Sequence, residues 1–482
     1  MTYENKPALV NITVYNFLSR IVFYLFLFLS WIYASRVFDK EHFGHAQYIS
    51  WLVNFAWLIF NAGGPATINH YISGYTHSSK LLGRFTIFIV LFSIITAGLA
   101  WFVLTGYLEY SYFKIGFVCL LALFVANYLQ GFMQMRFLFI ELFYVSVIAS
   151  FAGLVLLWKL LPVYGVEGYI ITFTIFHCIL VIGYAYYLIK YKRSVEKDIP
   201  NDPDVKSLLK TAIYFAISTA LSVILWQRTE FWFIRHYLSL EAIGTYSIAF
   251  SLITMSTEFL RILPGPLLTY FAALRDDKEE VRRRLFNFMR YFAWIVVFVC
   301  LFTAIEAESL TSIIFTKKYL DSVACTRILM IGFIPGVCSY VLMHLHVGLG
   351  RSRFLMIQDG ISAITFLFLC VTMIPTFALE GAAWAKATTM VLTATLGFIY
   401  TSVKLKLTLP YTQIMGSVFI ALLIMIPIQT ILNDNLFLLV IKAILTFIVY
   451  ACISLITGII EILTMKRIAK EVITSLRSPF KL

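Results

Sequence analysis

The chain has 482 residues, of which 61% are hydrophobic and 13% charged, and its mean hydropathy is +0.87. Soluble domains carry about 25% charged residues, so a string of soluble domains is excluded; apolar runs long enough to cross a bilayer fill nearly the whole sequence. The formal net charge of +13 fits Lys and Arg gathered in cytoplasmic loops, and no nucleic-acid-binding motif accompanies it.

Residues 1–11 are short and polar. The apolar segment after them is too long for a signal h-region and reads as a retained first span. In chain order the candidate helices are 12–35, 46–72, 85–105, 113–138, 142–161, 167–190, 208–235, 243–273, 286–305, 325–348, 353–376, 381–403, 409–431 and 436–463. That is about 14 transmembrane helices, the mark of an all-α integral membrane protein. With the N-terminus in the cytoplasm, most of the 38 basic residues fall on the cytoplasmic side, which predicts cytoplasmic N- and C-termini. The longest polar loop, 191–207, holds Pro200 and Pro203 and separates spans six and seven.

Two stretches repeat across that loop. Arg36-Val-Phe-Asp-Lys-Glu41-His-Phe-Gly44-His-Ala-Gln-Tyr48 returns as His236-Tyr-Leu-Ser-Leu-Glu241-Ala-Ile-Gly244-Thr-Tyr246. Pro162-Val-Tyr-Gly-Val-Glu167-Gly168-Tyr returns as Pro375-Thr-Phe-Ala-Leu-Glu380-Gly381-Ala, and Gly63-Gly64-Pro65 is echoed by Pro264-Gly265-Pro266. The repeats predict two six-helix lobes in parallel topology plus two extra C-terminal helices. The expected organisation is an N-lobe at 1–190, a cytoplasmic linker at 191–207, a C-lobe at 208–406, and two spans with a basic cytoplasmic tail at 407–482. The repeated Glu and Gly residues read as structural. An acid near a helix N-terminus meets the favourable end of the dipole, and a glycine allows a tight turn. The 7 cysteines form no CxxC and read as small core residues.

The order, spacing and duplication of these motifs resemble the polysaccharide transporters of the multidrug/oligosaccharidyl-lipid/polysaccharide (MOP) exporter superfamily, over nearly the whole chain. The resemblance implies a flippase working by alternating access in the bacterial cytoplasmic membrane. Its cargo would be an undecaprenyl-diphosphate-linked glycan of the O-antigen or capsule type, moved from the inner to the outer leaflet. It also implies membrane lipids as partners, H⁺ or Na⁺ as the coupling ion, and a polysaccharide polymerase and chain-length regulator as associated proteins. The signature arginine pattern of lipid II flippases is not evident.

A charge near the bilayer centre costs ~2.5–3.5 kcal/mol on insertion scales, so ionisable residues within spans are functional candidates. Four are basic: Arg20, Arg228, Arg261 and Lys386. A guanidinium forks onto phosphate oxygens, so these residues form a candidate cationic path for a diphosphate headgroup. Snorkelling or ion pairing is the structural alternative, and snorkelling is easiest for Lys386. Arg228 and Glu230 would lie on different faces of a regular helix, whereas Glu258 and Arg261 are spaced to pair. Glu230 and Glu258 are the candidate coupling acids. Asn16, Asn54, Asn61, Asn127 and Gln130 are candidate polar lining, for sugar hydroxyls or for interhelical hydrogen bonds.

There is no Walker motif for ATP use, no metal-ligand constellation and no cofactor signature. The alternative reading within the superfamily is a multidrug or organic-cation exporter, whose cavity should be acidic. An envelope polymerase or ligase is disfavoured, since the longest outer loop, about 306–324, is small for catalytic work; the protein is not expected to be an enzyme.

Overall fold

The computed structural model describes residues 9–60, 110–135, 138–191, 220–264, 277–428 and 435–461 almost throughout, plus scattered positions between 87 and 102 and at 217, 267, 270, 271 and 274. Among the described residues every regular element is a helix. The main ones are α1 (Leu9–Val37), α2 (Lys40–Phe60), α3 (Tyr110–Met135), α4 (Phe139–Lys190), α5 (Glu230–Tyr237), α6 (Leu240–Ile262), α7 (Lys278–Ile305), α8 (Ser322–Gly348), α9 (Ser352–Ile399), α10 (Tyr411–Ile428) and α11 (Leu436–Ile456).

Eight stretches among the described residues are long and apolar enough to cross a membrane. Two of them, Phe139–Lys190 and Arg353–Lys404, run 52 residues each. Straight, each would measure about 78 Å at 1.5 Å per residue, far beyond the ~30 Å hydrocarbon core. Each is instead two expected spans joined at one non-helical residue: Gly165 in α4 and Ala378 in α9. Large apolar side chains such as Trp158, Phe419 and Ile456 point outward and are exposed, as a surface bathed in lipid requires.

The chain divides into two compact units, Met1–Phe231 and Trp232–Leu482. In the first, α1 and α3 pack on α4. Phe26 stacks on Phe176 with ring centroids 4.6 Å apart, and Ala126, Leu142, Ala149 and Leu180 close around them. Small residues at these contacts let helices approach where lipid gives no hydrophobic drive for association.

In the second unit α7 is the hub, touching α6, α8 and α10. The extra C-terminal pair docks here: Trp294 of α7 stacks on Tyr450 of α11 at 5.2 Å, and its indole N–H donates to the Ser454 hydroxyl at 3.0 Å. Charge ties both ends of α11 to α7. At one end Lys442 Nζ lies 2.6 Å from Glu306 Oε1, both side chains under 10% exposed. Just past its other end Arg290 pairs with Glu461 at 3.0 Å and donates to the Gly458 and Ile459 carbonyls.

The repeated motifs fold alike. Asp39 Oδ1 accepts from the His42 N–H at 2.8 Å at the start of α2, and Ser239 Oγ accepts from the Ala242 N–H at 3.1 Å at the start of α6. Both are N-caps, and Glu41 and Glu241 sit in the first turns they open. Gly168 and Gly381 follow the two breaks, and a Cβ on either would strike backbone, the Leu160 carbonyl in one case and the Met373 carbonyl in the other.

Candidate functional site

The seventh expected span is interrupted. Residues 220–226 are helical, Gln227–Thr229 leave helical geometry, and α5 begins at Glu230. The Thr229 N–H donates to the Gln227 carbonyl and the Phe231 N–H to the Arg228 carbonyl, both at 2.9 Å. Irregular backbone at membrane depth persists only where protein or water satisfies its polar groups. A regular helix would send residues 228 and 230 to different faces; at the break, tertiary packing directs them instead.

Arg228 sits in that break and is half-buried. Its Nη1 donates to Gln47 Oε1 at 2.9 Å, and Gln47 Nε2 donates to the Tyr169 hydroxyl at 3.2 Å. The guanidinium carbon lies 4.8 Å from the Trp31 ring centroid and 5.6 Å from that of Phe231. Trp31, Gln47 and Tyr169 are buried, and Glu230 is fully buried at the first position of α5. On a half-buried guanidinium such cation–π contacts are worth about 1 kcal/mol. The cluster therefore gathers α1, α2, α4 and the interrupted span around one guanidinium.

A second cluster lies in the other unit. Arg261 Nη1 pairs with Glu258 one turn earlier on α6, while its Nη2 donates to the Tyr340 hydroxyl on α8. The guanidinium carbon also lies 4.6 Å from the Tyr340 ring centroid. Asp359 of α9 is near enough to act electrostatically on the Tyr340 phenol. The expected Glu258–Arg261 pair is thus formed.

Lys386 does not snorkel. It is fully buried on the second arm of α9, with Nζ 4.7 Å from the Phe366 ring centroid and 6.0 Å from that of Phe250.

The remaining candidates are dispersed. Arg20 is exposed on α1, one turn beyond half-buried Asn16, and no ion pair of Arg20 is found among the described residues. Asn54 is exposed and donates to its own helix at the Ser50 carbonyl (2.8 Å); half-buried Asn127 does the same at Leu123 (2.9 Å). Gln130 is half-buried on α3, and Asn61 lies outside the described residues. No group of three metal-ligating side chains occurs among the described residues.

Sequence reasoning did not single out Trp31, Gln47, Tyr169 or Tyr340. A signal existed for two of them: Gln47 and Tyr169 close the two repeated motifs, where copy two has Ser247 and Ala382.

Residues 9–263 match the family model described as polysaccharide biosynthesis protein, which covers more than half of the chain. The chain belongs to this family. No curated protein matches it in sequence. Its fold is shared with solved transporters. Similar structures include the lipid II flippase MurJ in an inward closed conformation, with TM-score 0.71, 14% identity, and coverage of 93% of this chain and 98% of that one. A multidrug resistance MATE family transporter of the MOP superfamily, inward-facing, gives TM-score 0.63 and 13% identity over 79% of this chain and 94% of that one. A MOP superfamily transporter from Pyrococcus furiosus Vc1, whose binding pocket is described as reversed in polarity, gives TM-score 0.60 and 13% identity over 83% and 95%. This polysaccharide biosynthesis family member is thus a multi-pass membrane protein with the fold of those transporters, and among the described residues Arg228, Arg261 and Lys386 each lie against aromatic rings.

Proposed function

We propose that the protein is a flippase for undecaprenyl-diphosphate-linked oligosaccharide repeat units of the O-antigen or capsule type. It would carry them from the inner to the outer leaflet of the bacterial cytoplasmic membrane. The observation that carries this reading is the pair of guanidinium clusters at Arg228 and Arg261 inside a polysaccharide-biosynthesis family member. Both guanidinium groups hold fork-shaped donors suited to phosphate oxygens, on elements from which polar neighbours project. Arg20, exposed on the first span, is assigned to headgroup entry, and Lys386 to a supporting positive charge. Asn16, Asn54, Asn61, Asn127 and Gln130 are assigned to sugar hydroxyls.

In this reading the two repeats, 1–190 and 208–406, rock about the 191–207 linker with both termini in the cytoplasm. An ion gradient drives the cycle through Glu230 or Glu258. Polysaccharide polymerase and chain-length machinery would receive the product outside.

Deletion followed by a leaflet-resolved assay of lipid-linked repeat units tests the proposal. Inner-leaflet accumulation is expected, and unchanged surface polysaccharide would sink it. Arg228→Ala and Arg20→Ala should insert normally and lose most transport; wild-type transport in both would leave these arginines structural.

A second reading, export of organic cations, is favoured by one observation: Glu230 is a fully buried acid. Glu230→Gln separates the two. Loss of cation efflux from loaded cells would support drug export, whereas the flippase reading expects no efflux in wild type.

A further inference from the structure

The second arm of α4 runs from Val166 to Lys190, beyond the break at Gly165, and measures about 36 Å at 1.5 Å per residue. That exceeds the ~30 Å hydrocarbon core, so its last turn reaches headgroup level. In that turn Lys190 Nζ lies 5.8 Å from the Tyr186 ring centroid, 6.0 Å from that of Tyr187 and 5.7 Å from that of Tyr191. Tyr187 and Tyr191 stack with centroids 6.2 Å apart, and Tyr186 meets Tyr187 edge-on at 5.1 Å. Three phenols therefore flank one ammonium. Lys190 is exposed, and no carboxylate pairs with it among the described residues.

A lysine in a last turn answers the helix dipole, and tyrosine is common at membrane interfaces. Neither accounts for the stripe that leads to the cluster. Ile182, Tyr186 and Ile189, spaced to share one helix face, are 70%, 56% and 72% exposed. An acyl chain lying on this stripe brings its own headgroup to the Lys190 ammonium. The sequence continues Lys192-Arg193, outside the described residues, and basic clusters just beyond a span attract anionic headgroups. The second copy shows that the repeated frame does not require the arrangement. In the register that aligns Gly165 with Ala378, Tyr186, Tyr187 and Lys190 answer to Ile399, Tyr400 and Val403. Tyr400 is packed within its unit, stacked on Phe354 with ring centroids 3.7 Å apart. Lys404 follows, with no aromatic ring beside its ammonium among the described residues.

We propose that Lys190, Tyr186 and Tyr191 form a binding site for the phosphate of an anionic phospholipid, with one acyl chain along Ile182, Tyr186 and Ile189. The ammonium supplies the charge, and the exposed phenol hydroxyls of Tyr186 and Tyr191 are further donors to phosphate oxygens. Half-buried Tyr187 is a positioning residue, its ring holding that of Tyr191. A lipid bound there anchors the end of the first unit's long hairpin at headgroup depth. The site is independent of the cargo that the protein carries.

The test uses the full-length protein in nanodiscs that contain phosphatidylglycerol or phosphatidylcholine carrying a photoactivatable diazirine on one acyl chain. After illumination, mass spectrometry quantifies labelling of the peptide that holds residues 182–189. Wild type is expected to label about fivefold more with phosphatidylglycerol than with phosphatidylcholine, the factor of one cation near an anionic headgroup. Lys190→Met should fall to the phosphatidylcholine level, Lys190→Arg should keep the preference, and Tyr186→Phe with Tyr191→Phe should lower it by about twofold. Equal labelling by the two lipids in wild type, or an unchanged preference in Lys190→Met, would overturn the site. Millimolar inorganic phosphate is expected to leave the labelling unchanged; its loss would overturn the lipid assignment in favour of a soluble anion. Geranylgeranyl diphosphate, added well below the phosphatidylglycerol concentration, should likewise leave it unchanged; displacement would overturn the phospholipid assignment in favour of a lipid diphosphate. A Lys190→Met protein that melts below wild type is replaced by Lys190→Gln, for which the same outcomes apply.

Discussion

The reversal turn of the first unit is built on Gly165, at φ 54° and ψ −131°, and the corresponding turn of the second unit on Ala378, at φ 50° and ψ −129°. The backbone is the same to within a few degrees, yet one copy uses the residue that reaches this region freely and the other uses one that does not. An L-residue there carries about 1–3 kcal/mol of strain. The comparison separates what the duplicated architecture enforces from what each copy has changed. The path of the chain, the N-caps at Asp39 and Ser239, and the glycines at 168 and 381 are enforced. The residues that project from this frame differ: Gln47 and Tyr169 answer to Ser247 and Ala382. The first unit uses them to hold Arg228 through an amide, while in the second Arg261 is held by a carboxylate and a phenol.

The largest expected effect comes from the buried Lys442–Glu306 pair, which ties a helix outside the repeat to the second unit. Lys442→Met alone should cost about 3–5 kcal/mol by leaving a buried charge behind, and Lys442→Met with Glu306→Gln should recover most of it. Thermal melts in detergent measure both; equal loss in the single and double variants would show that the pair does not hold α11. Gly168→Ala and Gly381→Ala come next. Each drives a methyl into backbone and should cost about 3 kcal/mol, equally if the two turns are one module. Unequal losses would break the equivalence.

The turns themselves give a reciprocal pair. Gly165→Ala should destabilise by about 1–2 kcal/mol, since nothing lies within 4 Å of a Cβ added there and the cost is conformational, and Ala378→Gly should stabilise by about 1 kcal/mol by relieving the positive φ. A neutral Ala378→Gly would mean that the strain is relieved by the surrounding helices. Smallest are the caps: Asp39→Ala and Ser239→Ala should each cost about 1 kcal/mol, read as local hydrogen-exchange protection at the starts of α2 and α6.

Much of this frame was legible in the residues. Gly165-Val-Glu167-Gly168 and Ala378-Leu-Glu380-Gly381 announce a turn and a helix start because those signals act within a few residues. The helices begin up to several residues earlier than hydropathy alone placed them, as with Lys40 for α2 and Lys278 for α7, because polar first turns are capped and charged rather than apolar. The break at Gln227–Thr229 was not legible. Trp226-Gln227-Arg228-Thr229-Glu230 contains neither Gly nor Pro, and its backbone departs from the helix where Arg228 reaches Gln47.

Hydropathy, charge bias and the duplicated motifs by themselves determined that the chain is an all-helical membrane protein with a repeated frame, since each depends on local composition and on free energy of transfer to lipid. Tertiary structure alone decided the partners of the charges. Arg228 and Gln47 are 181 residues apart, Arg261 and Tyr340 are 79 apart, and Lys386 is buried among rings from two other spans. A charge in a span must find a counter-ion, a dipole or an aromatic face, and which of these it finds is set by the helices that pack beside it.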